Sequence, residues 1–243
     1  QLVSGSIILL YLFLIKRMPF PSKKYLLFQM LLALLLITLG NGIGTFGLAY
    51  IDSGISAILA SLSPIIIALL TIYFRPADSL NPLGWMGILL GFAGLILICF
   101  DKFTLPIGQN TTAIGLILTI ISVGSWGIGS VISKTRTYTY SPLMASGFQM
   151  LFGGLPMVIL CFTFEDLTNF YLTKDMFLIW LYLIVMGSLI AYSCYIYALR
   201  HLPATVVSIQ SYVNPIIAIY LGYLILNEPM THRLVYGAIF TLL

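Results

Sequence analysis

The residues that could do chemistry in this sequence are uncharged. In the run 204–225, Gln210, Ser211 and Asn214 follow at i, i+1 and i+4, which places them on one face of a helix. Pro215, beside them, lacks a backbone donor and marks a kink. The run 55–74 holds a sparser counterpart, Ser63 next to Pro64. Thr38, Asn41 and Thr45 share a face of the run 25–48, and Ser188, Tyr192 and Tyr195 share one of the run 176–199. Thr119, Ser122 and Trp126 do the same in the run 113–133. Hydroxyls, amides and rings of this kind suit a small organic solute, held by hydrogen bonds, stacking and cation–π contact in a central cavity. They also serve as glue between helices in lipid. The candidate solute-binding residues are therefore Asn214, Gln210, Ser211, Tyr192, Tyr195, Trp126, Asn41 and Ser63, with Pro64 and Pro215 as kinks.

Other chemistries lack their parts. An enzyme needs a nucleophile with a base, or a metal cluster, and no run offers either. Cys99, Cys161 and Cys194 stand far apart inside apolar runs and read as small hydrophobes. No metal and no cofactor is expected. Gly40-Asn-Gly-Ile-Gly44 lacks the Lys and Ser/Thr of a phosphate loop. Gly87 and Gly91, at G-x-x-x-G spacing, predict close helix packing. No Asp, Glu, Lys, Arg or His lies deep in a run, so proton coupling through a buried carboxylate is not expected from these residues. Glu228, His201 and His232 fall at run ends, where an interfacial role is the default, and Trp85, Trp180 and Tyr171 read as interfacial anchors.

The elements that must position these groups are membrane helices. Of 243 residues, 60% are hydrophobic and 7% charged, against about 25% charged in soluble domains. With a mean hydropathy of +1.07, the chain's main solvent must be lipid. The net charge of +4 is spread too thinly for nucleic acid, which is not an expected partner. Spanning a hydrocarbon core about 30 Å thick takes roughly 20 apolar residues. Nine runs qualify as spans: 1–15, 25–48, 55–74, 83–100, 113–133, 143–163, 176–199, 204–225 and 234–243. They are apolar all round and lack the period-two alternation of barrel strands. Strict alternation with Lys16, Arg17, Lys23 and Lys24 inside also puts Arg75, Lys134, Arg136 and Arg200 inside; Lys102, Lys174 and Arg233 then fall outside. Asp52, Asp101, Glu165, Asp166, Asp175 and Glu228 fall outside too. Both ends lie within apolar runs, so further helical material is expected beyond them.

The sequence echoes itself. Leu48-Ala-Tyr-Ile-Asp-Ser-Gly through Leu62-Ser-Pro64-Ile-Ile matches Leu199-Arg-His-Leu-Pro-Ala-Thr through Val213-Asn-Pro215-Ile-Ile at an offset of 151 residues, which also pairs Asn41 with Tyr192. The two proline runs are third and eighth in order. An odd separation makes them cross in opposite senses, as in the inverted repeats of secondary transporters.

Ala198-Leu-Arg-His-Leu-Pro-Ala204 leading to Tyr212-Val-Asn-Pro215 and Leu226-Asn-Glu-Pro229 resembles the EamA family of the drug/metabolite transporter superfamily. Gly47-Leu-Ala-Tyr50 leading to Leu62-Ser-Pro64, Trp85-Met-Gly87 and Ser125-Trp-Gly127 carry the same resemblance, which covers essentially the whole chain. It departs where Arg75-Pro-Ala-Asp78 stands in place of a first-half match to Glu228. The resemblance implies an all-α, polytopic membrane helix bundle with an inverted five-plus-five repeat. The nine runs would be its second to tenth helices, one being missing at the N-terminus. The repeats would occupy residues 1–100 and 113–243. It implies export of small metabolites such as amino acids or drug-like solutes by alternating access, from the cell (plasma) membrane, with the C-terminus cytoplasmic. The partners expected are a small-molecule solute and the lipid bilayer, with a homodimer as an option. The alternative class is a non-transporting scaffold or receptor.

Overall fold

The computed structural model of the chain describes residues 1–51, 53–99, 110–136, 139–164, 171, 173–226 and 232–242. Among them there is no strand, and nine helical segments follow one another. They are α1 (Leu2–Ile15), α2 (Lys23–Gly47), α3 (53–74), α4 (Pro82–Cys99), α5 (Asn110–Ser133), α6 (Pro142–Phe164), α7 (Lys174–His201), α8 (204–226) and α9 (His232–Leu242). Each expected run is thus a helix. By length and apolarity alone, five stretches are long enough to cross a membrane: Lys23–Gly47, Ile55–Phe74, Thr112–Ser133, Pro142–Thr163 and Lys174–His201. Among the shorter helices, α1 and the 18-residue α4 are apolar as well. Asp52, Asp101, Lys102, Glu165, Asp166 and Glu228 lie outside the described residues, as does the side chain of Arg233.

The starts of several helices are written locally. Four orphan amides at a helix start need acceptors. Ser22 accepts from the Tyr25 amide at 3.4 Å, Ser141 from Met144 at 3.2 Å and Thr173 from Met176 at 3.2 Å. Asn81 accepts from Gly84 at 2.8 Å. In Asn81-Pro82 and Ser141-Pro142 the cap is followed by proline at the first helical position, where a missing N–H costs nothing.

The chain divides into two compact units, Gln1–Gly42 with Ile132–Leu202, and Ile43–Val131 with Pro203–Leu243. Neither unit is one sequence half. Unit 1 is built from α1, most of α2, α6 and α7; unit 2 from α3, α4, most of α5, α8 and α9.

In each unit one pair of helices five apart in order packs closely and antiparallel. In unit 1, a Cβ on Gly154 would stand 2.8 Å from Leu2, one on Gly5 2.9 Å from the Gly147 carbonyl, and one on Gly147 2.9 Å from Ile8. Contact therefore runs up α1 and down α6. In unit 2, a Cβ on Gly94 would meet the Gly237 carbonyl at 2.7 Å, and one on Gly237 would meet Ile98 at 2.5 Å, so α4 runs against α9. Glycine lets these backbones touch. This is the inverted repeat at the level of pairs. Of the expected Gly87/Gly91 pair, Gly91 lies under the Tyr212 ring, but Gly87 faces open space; the closest backbone approach on α4 is made at Gly94 instead.

The core of unit 1 gathers Leu12, Tyr25, Leu36, Ile37, Met144 and Leu199. That of unit 2 gathers Ala68, Ile88, Leu95, Ile98 and Tyr212.

Candidate functional site

In unit 1 the repeat-related helices α2 and α7 share an irregularity. Each changes to π-helix in its interior, at Leu34–Ile43 and Leu183–Tyr192. The two stretches start 149 residues apart, close to the 151-residue sequence offset. Long π segments are rare, and π-bulges frequently lie at functional sites. Asn41 lies in the first stretch and is exposed, while Tyr192 ends the second and is buried. A hydroxyl anchors each stretch to a neighbour: Thr38 donates to the Gly153 carbonyl at 3.1 Å, and Ser4 to the Ile184 carbonyl at 3.2 Å.

Tyr192 heads a buried polar chain. Its hydroxyl donates to Gln149 Oε1 at 2.7 Å, and Gln149 Nε2 donates to Gln29 Oε1 at 2.6 Å. The three side chains are 4%, 1% and 3% exposed and join α7, α6 and α2. Such burial is tolerable only because each polar group meets a partner. Tyr195 lies one turn on, its ring 6.3 Å from that of Tyr192, and Ser146 meets Ser193 across α6 and α7 at 3.2 Å. Gln29 and Gln149 are absent from the sequence-derived candidates. The signal that would have found them is the one that selected Asn214: an amide within an apolar run.

Unit 2 carries breaks in place of π turns. The third helix is interrupted at Ser61 and Leu62, just ahead of Pro64, and the eighth at Ile209, ahead of Pro215. Pro64 offers no N–H to the Ala60 carbonyl, four residues back. The Ser63 hydroxyl donates to that carbonyl instead, at 2.7 Å, and Ser61 caps Ile58 at 2.6 Å. Ser63 is buried, its proton used in repairing the break. Ser208 donates to the Thr205 carbonyl at 2.6 Å beside the other break.

The rotation of α8 is set by Tyr212. Its hydroxyl donates to the Ile88 carbonyl on α4 at 2.9 Å, and its ring covers Gly91. Gln210 and Asn214 lie two residues to either side, some 200° around the helix from Tyr212 at about 100° per residue. Burying Tyr212 therefore turns both amides outward, and both are exposed; Ser211 is half-buried. Trp126 on α5 is half-buried, and its carbonyl accepts from Ser130 at 2.6 Å. Thr119 and Ser122 are buried where α5 meets Gly47 and Gly44, and Thr119 donates to the Gly115 carbonyl of its own helix at 2.8 Å. These two hydroxyls are packed against the backbone of α2.

The model of the EamA-like transporter family matches residues 1–100 and 113–243. The chain belongs to this family. Among EamA-like relatives, YedA of Escherichia coli K12, named as an inner membrane transporter, is 30% identical over 227 residues, 91% of this chain and 70% of its own length. The transporter YoaV of Bacillus subtilis is 25% identical over 98% of this chain and 81% of its own. A chloroplastic WAT1-related protein of Arabidopsis thaliana is 27% identical over the whole chain and 59% of its own length. A crystal structure covering 99% of this chain and 93% of its own has a TM-score of 0.70 at 16% identity, a likeness of fold. The EamA-like chain is thus a multi-pass, all-α membrane transporter.

Proposed function

We propose that the protein moves small neutral, zwitterionic or aromatic organic solutes, amino acids or drug-like molecules among them, out of the cell by alternating access. One observation carries this reading: Asn214 is an exposed amide midway along an apolar helix, held outward by Tyr212 and accompanied by Gln210 one turn away. An amide facing hydrocarbon without a partner costs several kcal/mol, on the order of 4–8 in an alkane-like medium. A water-filled path at that depth removes the cost. Uncharged amides and a neighbouring hydroxyl, Ser211, match uncharged or charge-balanced ligands. The prolines, helix breaks and paired π stretches supply places where helices change direction without losing every backbone bond, as alternating access requires.

The test is flux in proteoliposomes against a metabolite panel, with and without a proton gradient. Once a transported solute is found, Asn214→Ala is expected to raise its KM by about tenfold, the effect of losing one good polar contact of ~1.4 kcal/mol. Unchanged KM and rate in both Asn214→Ala and Gln210→Ala would remove α8 from the binding site.

A further inference from the structure

Cations that are scattered through the sequence collect at one end of unit 1. Tyr140 organises that end. Its hydroxyl accepts from the Ser22 amide at 3.1 Å, its ring lies 4.5 Å from Tyr25, and its carbonyl accepts from Arg200. The start of α2, the connection before α6 and the end of α7 are thereby held together. Arg136 lies over the Phe28 ring at 5.3 Å. The Lys134 ammonium caps the end of α7, donating to the Leu199 and Leu202 carbonyls at 2.7 and 2.9 Å. Around this frame Lys16, Arg17, Lys23, Lys24, Arg136 and Arg200 are all exposed. No acidic residue is described at this end. Asp175, the acid described in unit 1, lies at the opposite end of α7. Unit 2 differs, for its Arg75 is paired with Asp78 at 3.1 Å.

The apolar side chains around these cations decide what they face. Leu14, Ile15, Phe20 and Leu27 are 67–70% exposed and lie within a few residues of Lys16, Arg17, Lys23 and Lys24. A free phosphate or a nucleic acid would leave this apolar rim in water. A phospholipid covers it with acyl chain while presenting its phosphate to the cations.

We propose that this end of unit 1 is a binding surface for the headgroups of anionic phospholipids, which form a preferred annulus at the α1–α2 connection and the end of α7. Each cation near an anionic membrane surface contributes about fivefold in association. The surface is separate from the solute-binding reading and does not depend on it.

Intact protein in proteoliposomes of phosphatidylcholine with phosphatidylglycerol tests the proposal, read by the association of spin-labelled phosphatidylglycerol relative to spin-labelled phosphatidylcholine. The unaltered protein is expected to prefer phosphatidylglycerol. Lys23→Gln/Lys24→Gln/Arg136→Gln should lower that preference at least about fivefold, while Lys174→Gln, at the other end, should leave it in place. Equal preference in the triple variant and in Lys174→Gln would overturn the proposal, as would no preference in the unaltered protein. Should the triple variant fail to fold, Lys24→Gln and a salt titration of the unaltered protein keep the question open to refutation. The preference must weaken as salt screens the cations, and indifference to salt overturns it. Glycerol 3-phosphate in excess should not compete; competition at equal phosphate would make the site one for free phosphate and overturn the lipid assignment.

Discussion

Unit 1 and unit 2 hold their polar residues in opposite ways. In unit 1, Gln29, Gln149 and Tyr192 are buried and bonded to one another across three helices. In unit 2, Gln210 and Asn214 are exposed, and the buried hydroxyls of Ser61, Ser63 and Ser208 are bonded to the backbone of their own helices. The backbone irregularities differ too. Unit 1 widens its helices by π turns, which keep the hydrogen-bonded ladder unbroken at a changed spacing. Unit 2 interrupts the ladder of its third and eighth helices, and beside Pro64 the Ser63 hydroxyl takes up the carbonyl the proline leaves. The two treatments differ in what the amides meet: in unit 1 they tie helices together, and in unit 2 they stand exposed while Tyr212 makes the tie from α8 to α4.

This contrast can be broken by substitution. Gln149→Leu removes the middle of the buried chain, leaving Tyr192 and Gln29 without their partner. Interhelical hydrogen bonds in membranes average about 0.6 kcal/mol and reach about 1.7, and stranded buried groups add to that. A loss of about 2 kcal/mol in a reversible unfolding titration in mixed micelles is expected. Tyr192→Phe removes the bond to Gln149 but leaves the Gln149–Gln29 bond in place, and should cost about 1 kcal/mol in the same titration. Ser63→Ala unmakes the patch over Pro64, and losing this part-buried bond to the Ala60 carbonyl is expected to cost about 0.5–1 kcal/mol. Asn214→Ala belongs at the bottom of the series, with a stability change within about 0.5 kcal/mol, as for exposed positions generally, while solute affinity falls. If Asn214→Ala unfolded the protein as readily as Gln149→Leu, the distinction between the two units would collapse.

Much of this architecture was legible in the sequence, and for physical reasons. A lipid solvent demands long apolar runs, so all nine helices could be placed within a few residues of where they lie. The echo around Pro64 and Pro215 marked two helices that are each interrupted, the third at Ser61 and Leu62 just before Pro64; the break in the eighth is at Ile209, and Pro215 itself lies within continuous helix. The pairing of Asn41 with Tyr192 pointed to two helices that share a π stretch, although periodicity alone could not reveal the extra width. Less legible was the orientation of each polar group. Ser63 and Asn214 occupy comparable positions beside a proline, yet one is buried against its own backbone and the other is exposed. What separates them is a neighbour: Tyr212 fixes the azimuth of α8 through a carbonyl 124 residues away. Likewise Gln29 and Gln149 lie 120 residues apart, and only the packing of α2 on α6 makes them partners. The division into units was also hidden, because each unit draws helices from both halves of the sequence.

The Gln29–Gln149–Tyr192 chain sets an order of events at the ribosome. Caps such as Ser22 and Ser141 bond within three residues, so those helix starts are satisfied as soon as they emerge. Gln29 must instead wait for Gln149, and Gln149 for Tyr192, the last of the three to be made, 163 residues after the first. At roughly 5–20 residues per second that interval is on the order of 10–30 s. During it an amide of α2 resides in the insertion machinery or the bilayer without its final partner. The chain therefore closes only once α7 has entered, which makes the arrival of that helix the step that commits unit 1 to its native packing.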